Sequence, residues 1–210
     1  MKKILKIVLP GGPGGGKTSA KPFLAKRFVE RGYYPLFVPE AASILLEGGV
    51  TFRDGTLSPR EFQGQIMDLI CALEAQFEFA AHALAHPKPV IVCDRGLMDG
   101  RAYVTEELFW ETAHVRNFDV YTMRDARYHA VFHLRTAALG AEEFYVQTST
   151  RPESPEEARV LDEATLHSWV GHPHLYVVDN SAKSIEGKLE LLWRHICHFL
   201  DEALPPTNVP

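Results

Sequence analysis

Apolar residues along this chain gather in short unbroken runs, separated by longer stretches in which they recur every three or four positions. The runs are ILKIVL (4–9), PLFV (35–38), PVIVC (89–93), HAVFHL (129–134) and LYVV (175–178). Runs of that length, rich in Val, Ile, Leu and Phe, read as strands buried on both faces. The stretches between them read as helices. Over 59–86, Phe62, Ile66, Leu69, Leu73, Phe77, Ala80 and Leu84 fall at helical spacing, and Ser58-Pro59-Arg60-Glu61 opens the stretch as a capping box with proline at the first helical position. Ser154-Pro155-Glu156-Glu157 repeats the device before a helix to about Trp169, and a last helix over 182–201 carries Ile185, Leu189, Leu192, Ile196 and Phe199 on one face. Strand and helix in alternation predict an α/β fold: a parallel five-stranded sheet with helices on both faces.

Ligands of such sheets collect at the carboxyl ends of the strands. Those ends are the glycine run after residue 9, Glu40, Asp94-Arg95, Arg135 and Asp179-Asn180. The run Gly11-Gly12-Pro13-Gly14-Gly15-Gly16-Lys17-Thr18-Ser19 contains G-x-x-x-x-G-K-[ST] in full, directly after a strand and before a helix. Backbone N–H groups free of side chains can curl around a β-phosphate there, with the helix dipole behind them. Lys17 then reaches the β- and γ-phosphates and the Thr18 hydroxyl ligates magnesium. The loop is expected to bind a nucleoside triphosphate. Pro22, inside the helix that follows, removes the donor for the Thr18 carbonyl.

Asp94 ends a hydrophobic strand and fits the second magnesium-organising acid. Many NTP hydrolases of the AAA and helicase type place a glutamate next to it to polarise water. Here the neighbour is Arg95, suited to gripping an anionic acceptor or the moving phosphoryl group, with a plain salt bridge as the alternative. Neither N-K-x-D nor a D-x-x-G after that strand is present, so Ras-like hydrolysis is not indicated. Glu40, in FVPEAAS, is either the base for an acceptor hydroxyl or a helix-start acid. The polar segment 142–159, with Arg151 and Arg159, reads as a lid whose arginines neutralise the phosphoryl group in flight, or else as a surface loop.

Composition narrows the setting. Hydrophobic residues make up 46% and charged residues 23%, a balance that supports a full core over 1–203 in one domain, with 204–210 a disordered tail. The net charge of -5 argues against broad nucleic-acid binding. Three scattered cysteines, Cys71, Cys93 and Cys197, form no disulfide pattern and point to a reducing, cytoplasmic compartment. Lys2, Lys3 and Lys6 could touch acidic lipids only peripherally. His195 and His198 lack a matching second pair for zinc, and Trp110, Trp169 and Trp193 read as packing residues.

Together, GGPGGGKT, VPEAA, CDRGLMDGRAY, RTAALGAEEFY, RPESPEEARVLDEATLHSW and HPHLYVVDNS resemble a P-loop family over nearly all of 1–203. That family groups the nicotinamide-riboside kinase domain of NadR regulators with the TRPL-translocation-defect GTP-binding protein of fly photoreceptors. The resemblance implies a nucleoside- or nucleotide-kinase strand order with the Asp94 strand beside the first. It also implies a nucleotide base near Asp179 and Asn180 and a lid around Arg151. It leaves two functions open. One is transfer of the γ-phosphoryl group of Mg-ATP or Mg-GTP to a small hydroxylated acceptor such as a nucleoside or riboside. The other is a nucleotide-dependent trafficking switch that hydrolyses slowly and binds a partner or acidic lipid. The DNA-binding module of NadR regulators and the further C-terminal domain of the fly-type protein have no counterpart expected here.

Overall fold

The structure, a computed structural model, describes residues 4–52, 54–147 and 152–203. Five parallel strands form one sheet: β1 (Leu5–Leu9), β2 (Tyr34–Val38), β3 (Pro89–Asp94), β4 (Ala130–Leu134) and β5 (Leu175–Val178), in the order β2-β3-β1-β4-β5. All five predicted runs are strands, with ends moved by one residue at most. The α/β fold with helices on both faces is as expected, and so is the placement of β3 beside β1.

Both faces of the sheet are covered, which is why its strands show no polar alternation. Leu5, Ile7 and Leu9 of β1 point to one face and pack with Leu24 and Phe28 of α1 (Lys17–Glu30), which spans Pro22 without a break. Leu192, Ile196 and Phe199 of α6 (Ile185–Ala203) complete that core, and Trp193 packs edge-on against Phe28. Val8 of β1 and Ile91 and Cys93 of β3 point to the other face. There they meet Met67 and Ile70 of α3 (Pro59–Ala83), Phe109 of α4 (Glu106–His114) and the fully buried Trp169 of α5 (Pro155–Trp169). Each such side chain contributes about 1.5–3 kcal/mol relative to exposure. No helix among the described residues is long and apolar enough to cross a membrane.

Three expectations are corrected. The helix from Ser58 ends at Ala83, not 86; Phe62 is buried as expected, and the rest of its buried line is Gln63, Gly64, Met67, Ile70, Glu74 and Ala81. The predicted stripe through Ile66, Leu69 and Leu73 flanks that line and is only partly buried, while Ala80 is exposed. The last helix begins at Ile185, three residues later than predicted. Lys6 is not a lipid-facing residue: it is buried, and its ammonium pairs with Glu74 at 2.9 Å and Glu78 at 2.6 Å. Lys2 and Lys3 lie outside the described residues. All three cysteines are free thiols.

Candidate active site

Parallel pairing sets the site. Leu9 pairs with Asp94 and Val38 with Cys93, so the glycine loop, Glu40 and Asp94-Arg95 leave the sheet side by side. On the other flank an isolated bridge joins Gly11 to Leu134. One cavity of about 1540 Å³ opens over these ends. Its wall includes Pro13 to Ser19, Glu40, Asp94, Arg95 and Asn180, while Gly11 and Gly12 are not on it.

The loop is held from below by α5. The Gly12 N–H donates to Asp162 Oδ1 at 2.9 Å, and the Thr136 N–H donates to the same oxygen at 3.0 Å. A Cβ on Gly12 would lie 2.6 Å from the Asp162 Cβ, so only glycine lets the strap close. Gly16, at φ 93, turns the chain into α1 through a region that side chains disfavour. Asp162 also meets His133 Nε2 at 3.1 Å and Arg135 Nε at 3.0 Å. Burial raises its pKa, but His133, the Gly12 N–H and Arg135 outweigh it and hold the carboxyl below its ordinary value.

Lys17 Nζ donates to the Gly11 carbonyl at 3.3 Å, and burial with Arg95 nearby lowers its pKa despite Asp94 and Glu40. Burial pushes the Asp94 carboxyl up, aided by Glu40 and opposed by Lys17 and Arg95. Its Oδ1 is buried without a hydrogen-bond partner among the described residues. An unpaired carboxylate oxygen in a cavity that Thr18 also lines is the donor set that a hard cation such as magnesium takes.

Arg95 has φ 69, uncommon for a residue with a side chain. The next two backbone groups fix it. The Gly96 N–H donates to Asp99 Oδ2 at 2.8 Å, and the Leu97 N–H donates to the Tyr128 hydroxyl at 3.0 Å. The guanidinium is thereby aimed at Glu40, with Nε 2.6 Å from Oε1, and it lies over the Tyr103 ring, 5.4 Å from its centroid. Burial works against its charge, and Tyr103, Glu40 and Asp99 outweigh that. Glu40 stands at the start of α2 (Ala41–Glu47), caps no backbone N–H, and accepts from the Ser43 hydroxyl at 2.8 Å. Burial opposes its ionisation, yet Arg95, Lys17 and Ser43 leave its pKa below the ordinary value.

The remaining sequence candidates fall at the edge. The Asn180 amide donates to the Thr136 and Leu139 carbonyls, both at 2.8 Å, so it braces the loop after β4. Asp179 accepts from Ser181 and is not on the cavity wall. Arg151 lies outside the described residues. Arg159 donates to the Ala138 carbonyl at 2.6 Å and so is tied to that loop's backbone. Tyr145 packs against Gly14 and its hydroxyl donates to the Glu153 carbonyl at 2.9 Å, fastening the base of the 142–159 segment to the glycine loop. No group of three or more His, Cys, Asp or Glu residues that could hold a metal appears around His195 or elsewhere among the described residues.

Sequence reasoning passed over Asp99, Asp162, Gln63 and Lys188. Their shared signal is a polar residue on an otherwise buried helical line, as Asp162 is among Ala158, Thr165 and Trp169.

Comparisons with known proteins agree with this architecture. No curated protein matches the chain by sequence. Among solved structures, thymidylate kinase from Candida albicans superposes with a TM-score of 0.65 at 17% identity. The match covers 94% of this chain and 93% of that one, which shows a shared P-loop kinase fold. The sequence model of an AAA domain matches residues 6–187, so the chain belongs to that family of P-loop NTPases.

Proposed function

We propose that the protein is a magnesium-dependent phosphotransferase that moves the γ-phosphoryl group of ATP or GTP to a small hydroxylated acceptor, a nucleoside or riboside being the leading class. One observation carries this reading. The cavity that the glycine loop lines is also walled, beyond Glu40 and Arg95, by Phe52, Phe62 and Ile66, and at about 1540 Å³ it exceeds the roughly 300–1,000 Å³ of a single-ligand pocket. A switch that only held a nucleotide would not need that extra space.

In this reading the acceptor hydroxyl sits at Glu40, which is ionised and takes its proton. The acceptor oxygen bonds to the γ-phosphorus, the bond from that phosphorus to the β–γ bridging oxygen breaks, and the nucleoside diphosphate leaves. Arg95 holds Glu40 in place and faces the charge that gathers on the moving group. Lys17 leaves the Gly11 carbonyl for the phosphate oxygens. Magnesium, held by Thr18 and Asp94, supplies charge neutralisation at the phosphates when bound. Arg151 is the proposed lid arginine, and Asn180, which lines the cavity where Asp179 does not, frames the base end. The resemblance to the kinase domain of NadR fits this reading, and the three free cysteines fit a cytosolic setting.

The test is nucleoside-diphosphate release from Mg-ATP and Mg-GTP, with and without pooled nucleosides and nicotinamide riboside, with Lys17→Ala as the blank. Release that rises with the pool and vanishes in Lys17→Ala supports the transferase. Tight nucleotide binding with release indifferent to every acceptor overturns it in favour of a switch.

A further inference from the structure

The backbone turn that carries Arg95 is held from outside the cavity. A residue with a side chain stays in the left-handed region only where its surroundings fix it, and Arg95, at φ 69, is followed by two clamped N–H groups. One clamp is local: Asp99 accepts from the Gly96 N–H and itself lines the cavity. The other is the Tyr128 hydroxyl, which accepts from the Leu97 N–H at 3.0 Å and comes from the segment just before β4. Tyr128 is 2% exposed and is not on the cavity wall. Its own proton goes the other way, to Glu74 Oε1 on α3 at 2.7 Å. Lys6 Nζ and Arg127 Nε both lie 2.9 Å from Glu74 Oε2, which leaves Oε1 to the hydroxyl. Burial and the Glu74 charge push the Tyr128 pKa well above its ordinary value, so the proton stays in place. A hydroxyl has a single hydrogen. With that hydrogen on Glu74 the oxygen can only accept, and Leu97 is the donor it meets. The fit is close: a Cβ on Gly96 would lie 2.8 Å from the hydroxyl oxygen, and the Tyr128 ring packs edge-on against Trp169 with centroids 5.4 Å apart.

We infer that Tyr128, oriented by Glu74, is a positioning residue for phosphoryl transfer: it fixes the turn at Arg95 and so holds that guanidinium against Glu40 and toward the transferring group. What Arg95 does rests on the proposed function; how Arg95 is held rests on geometry alone. Without the hydroxyl the Leu97 N–H, in a residue 1% exposed, loses its acceptor, and only Asp99 keeps the turn. The chain then relaxes toward ordinary φ values, which swings the guanidinium away from Glu40. Burial opposes the Glu40 charge, and Arg95 is the chief group that offsets it, with Lys17 and Ser43 assisting. Asp94, Asp99 and Tyr103, the other titratable groups of this cluster, stay in place. Loss of alignment therefore shows as a slower transfer step and as a Glu40 that ionises less readily, with the glycine loop and its nucleotide untouched.

The experiment compares the full wild-type chain with Tyr128→Phe, which removes the hydroxyl and keeps the ring, and with Gly96→Ala, whose methyl group displaces the hydroxyl from Leu97. Phe199→Leu, in the core on the opposite face of the sheet, is the control for lost stability alone. Hydrogen exchange at the Arg95 Nε–H is read by nuclear magnetic resonance with magnesium and a non-hydrolysable ATP or GTP analogue bound. It reports the contact with Glu40 without needing turnover. Exchange should be about tenfold or more faster in Tyr128→Phe and Gly96→Ala and unchanged in Phe199→Leu. Acceptor-stimulated kcat should fall about 10- to 100-fold in the first two, with KM for the nucleotide within a few-fold. The acid limb of their rate profile should move to higher pH. Phe199→Leu should melt lower and keep both kcat and the limb. Unchanged analogue affinity with a cooperative melt identifies a folded variant, and either variant alone decides.

Exchange and kcat that match wild type in the folded variants, or that change equally in Phe199→Leu, overturn the role of Tyr128 and leave phosphoryl transfer open. So does faster exchange with undiminished kcat where an acceptor stimulates turnover. Faster exchange in Tyr128→Phe or Gly96→Ala, in a protein that no acceptor stimulates, supports Tyr128 as the group that holds Arg95 and overturns the transferase reading instead.

Discussion

The Arg95 guanidinium and the Glu40 carboxylate are locked together, Nε to Oε1 at 2.6 Å, by two residues 55 positions apart that leave adjacent strands. An ion pair at this depth holds the carboxylate charged while keeping its second oxygen, which accepts from Ser43, at the cavity wall. If Glu40 takes the acceptor proton, Glu40→Gln should lower turnover by about 10²- to 10⁴-fold. Nucleotide affinity should change little, because the phosphates are held by the loop. Since the pKa of Glu40 lies below its ordinary value, the acid limb of the rate profile that belongs to it should lie below the usual carboxylate range. Steady-state rates against pH, with analogue binding as the control, check both points. An equal loss of affinity and rate would make Glu40 a scaffold for Arg95 alone.

Asp94 should show opposite signs in stability and function. Its buried Oδ1 has no partner among the described residues and burial raises its pKa, so the ligand-free protein carries a charge that it solvates poorly. Asp94→Asn should stabilise the free protein by about 1 kcal/mol, or roughly 2–4 °C at this chain length. The same change should shrink the stabilisation that magnesium and nucleotide add and raise the magnesium needed for half-saturation at least tenfold. Thermal melts with and without magnesium and nucleotide read both effects in one series.

Asp162 ties three things to one carboxylate: the glycine loop, the turn after β4, and the side chains of the buried His133 and the half-buried Arg135. Asp162→Ala takes the shared acceptor from the Gly12 and Thr136 N–H groups and from the buried His133, while Arg135 keeps Glu163 at 2.9 Å, and should cost about 1–3 kcal/mol. Asp162→Asn keeps the shape and should cost less, while still weakening nucleotide binding through a slackened Gly12. The carboxyl is held below its ordinary pKa, so its contribution is full above the ordinary carboxylate range and fades as pH falls through the lowered value. Urea unfolding of wild type and Asp162→Asn across acid pH should therefore converge at the acid end.

The fold was legible because hydrophobic runs buried on both faces need no tertiary information to be recognised, and because the glycine loop has a chemistry that few sequences imitate. The site was legible only in part. Gln63, Glu74 and Asp162 occupy the centre lines of α3 and α5, where apolar periodicity predicts side chains that need no partner. A polar residue there is meaningful only once the opposing element is known: Tyr128 and Lys6 for Glu74, Gly12 for Asp162. The same averaging displaced the predicted stripe of α3 onto its flanks. Lys6 misled for a related reason, since a lysine near the start of a chain looks solvated until Glu74 and Glu78 are placed above it.

Lys188 gives the clearest pH signature. The residue is 4% exposed and lines the cavity, and its ammonium donates to the Arg135 carbonyl. Burial, with Lys17 and Arg135 adding and Asp162 and Asp179 opposing, lowers its pKa from 10.5 to about 8. Between those two values the unfolded chain holds a proton that the folded chain does not, so stability gains with pH across that window. Below about pH 8 the folded protein carries the whole penalty, on the order of 3 kcal/mol for a shift of this size. Lys188→Met should therefore be more stable than wild type at pH 7, with the gap narrowing as pH rises from 8 to 10 in paired urea titrations. An anion in the cavity reverses the balance and favours the ammonium. Binding of ATP or GTP at pH 8.5 should accordingly take up a proton in wild type and not in Lys188→Met. Calorimetry in two buffers of different ionisation enthalpy measures that uptake. Identical apparent enthalpies in the two buffers would place Lys188 outside the reach of the bound phosphates.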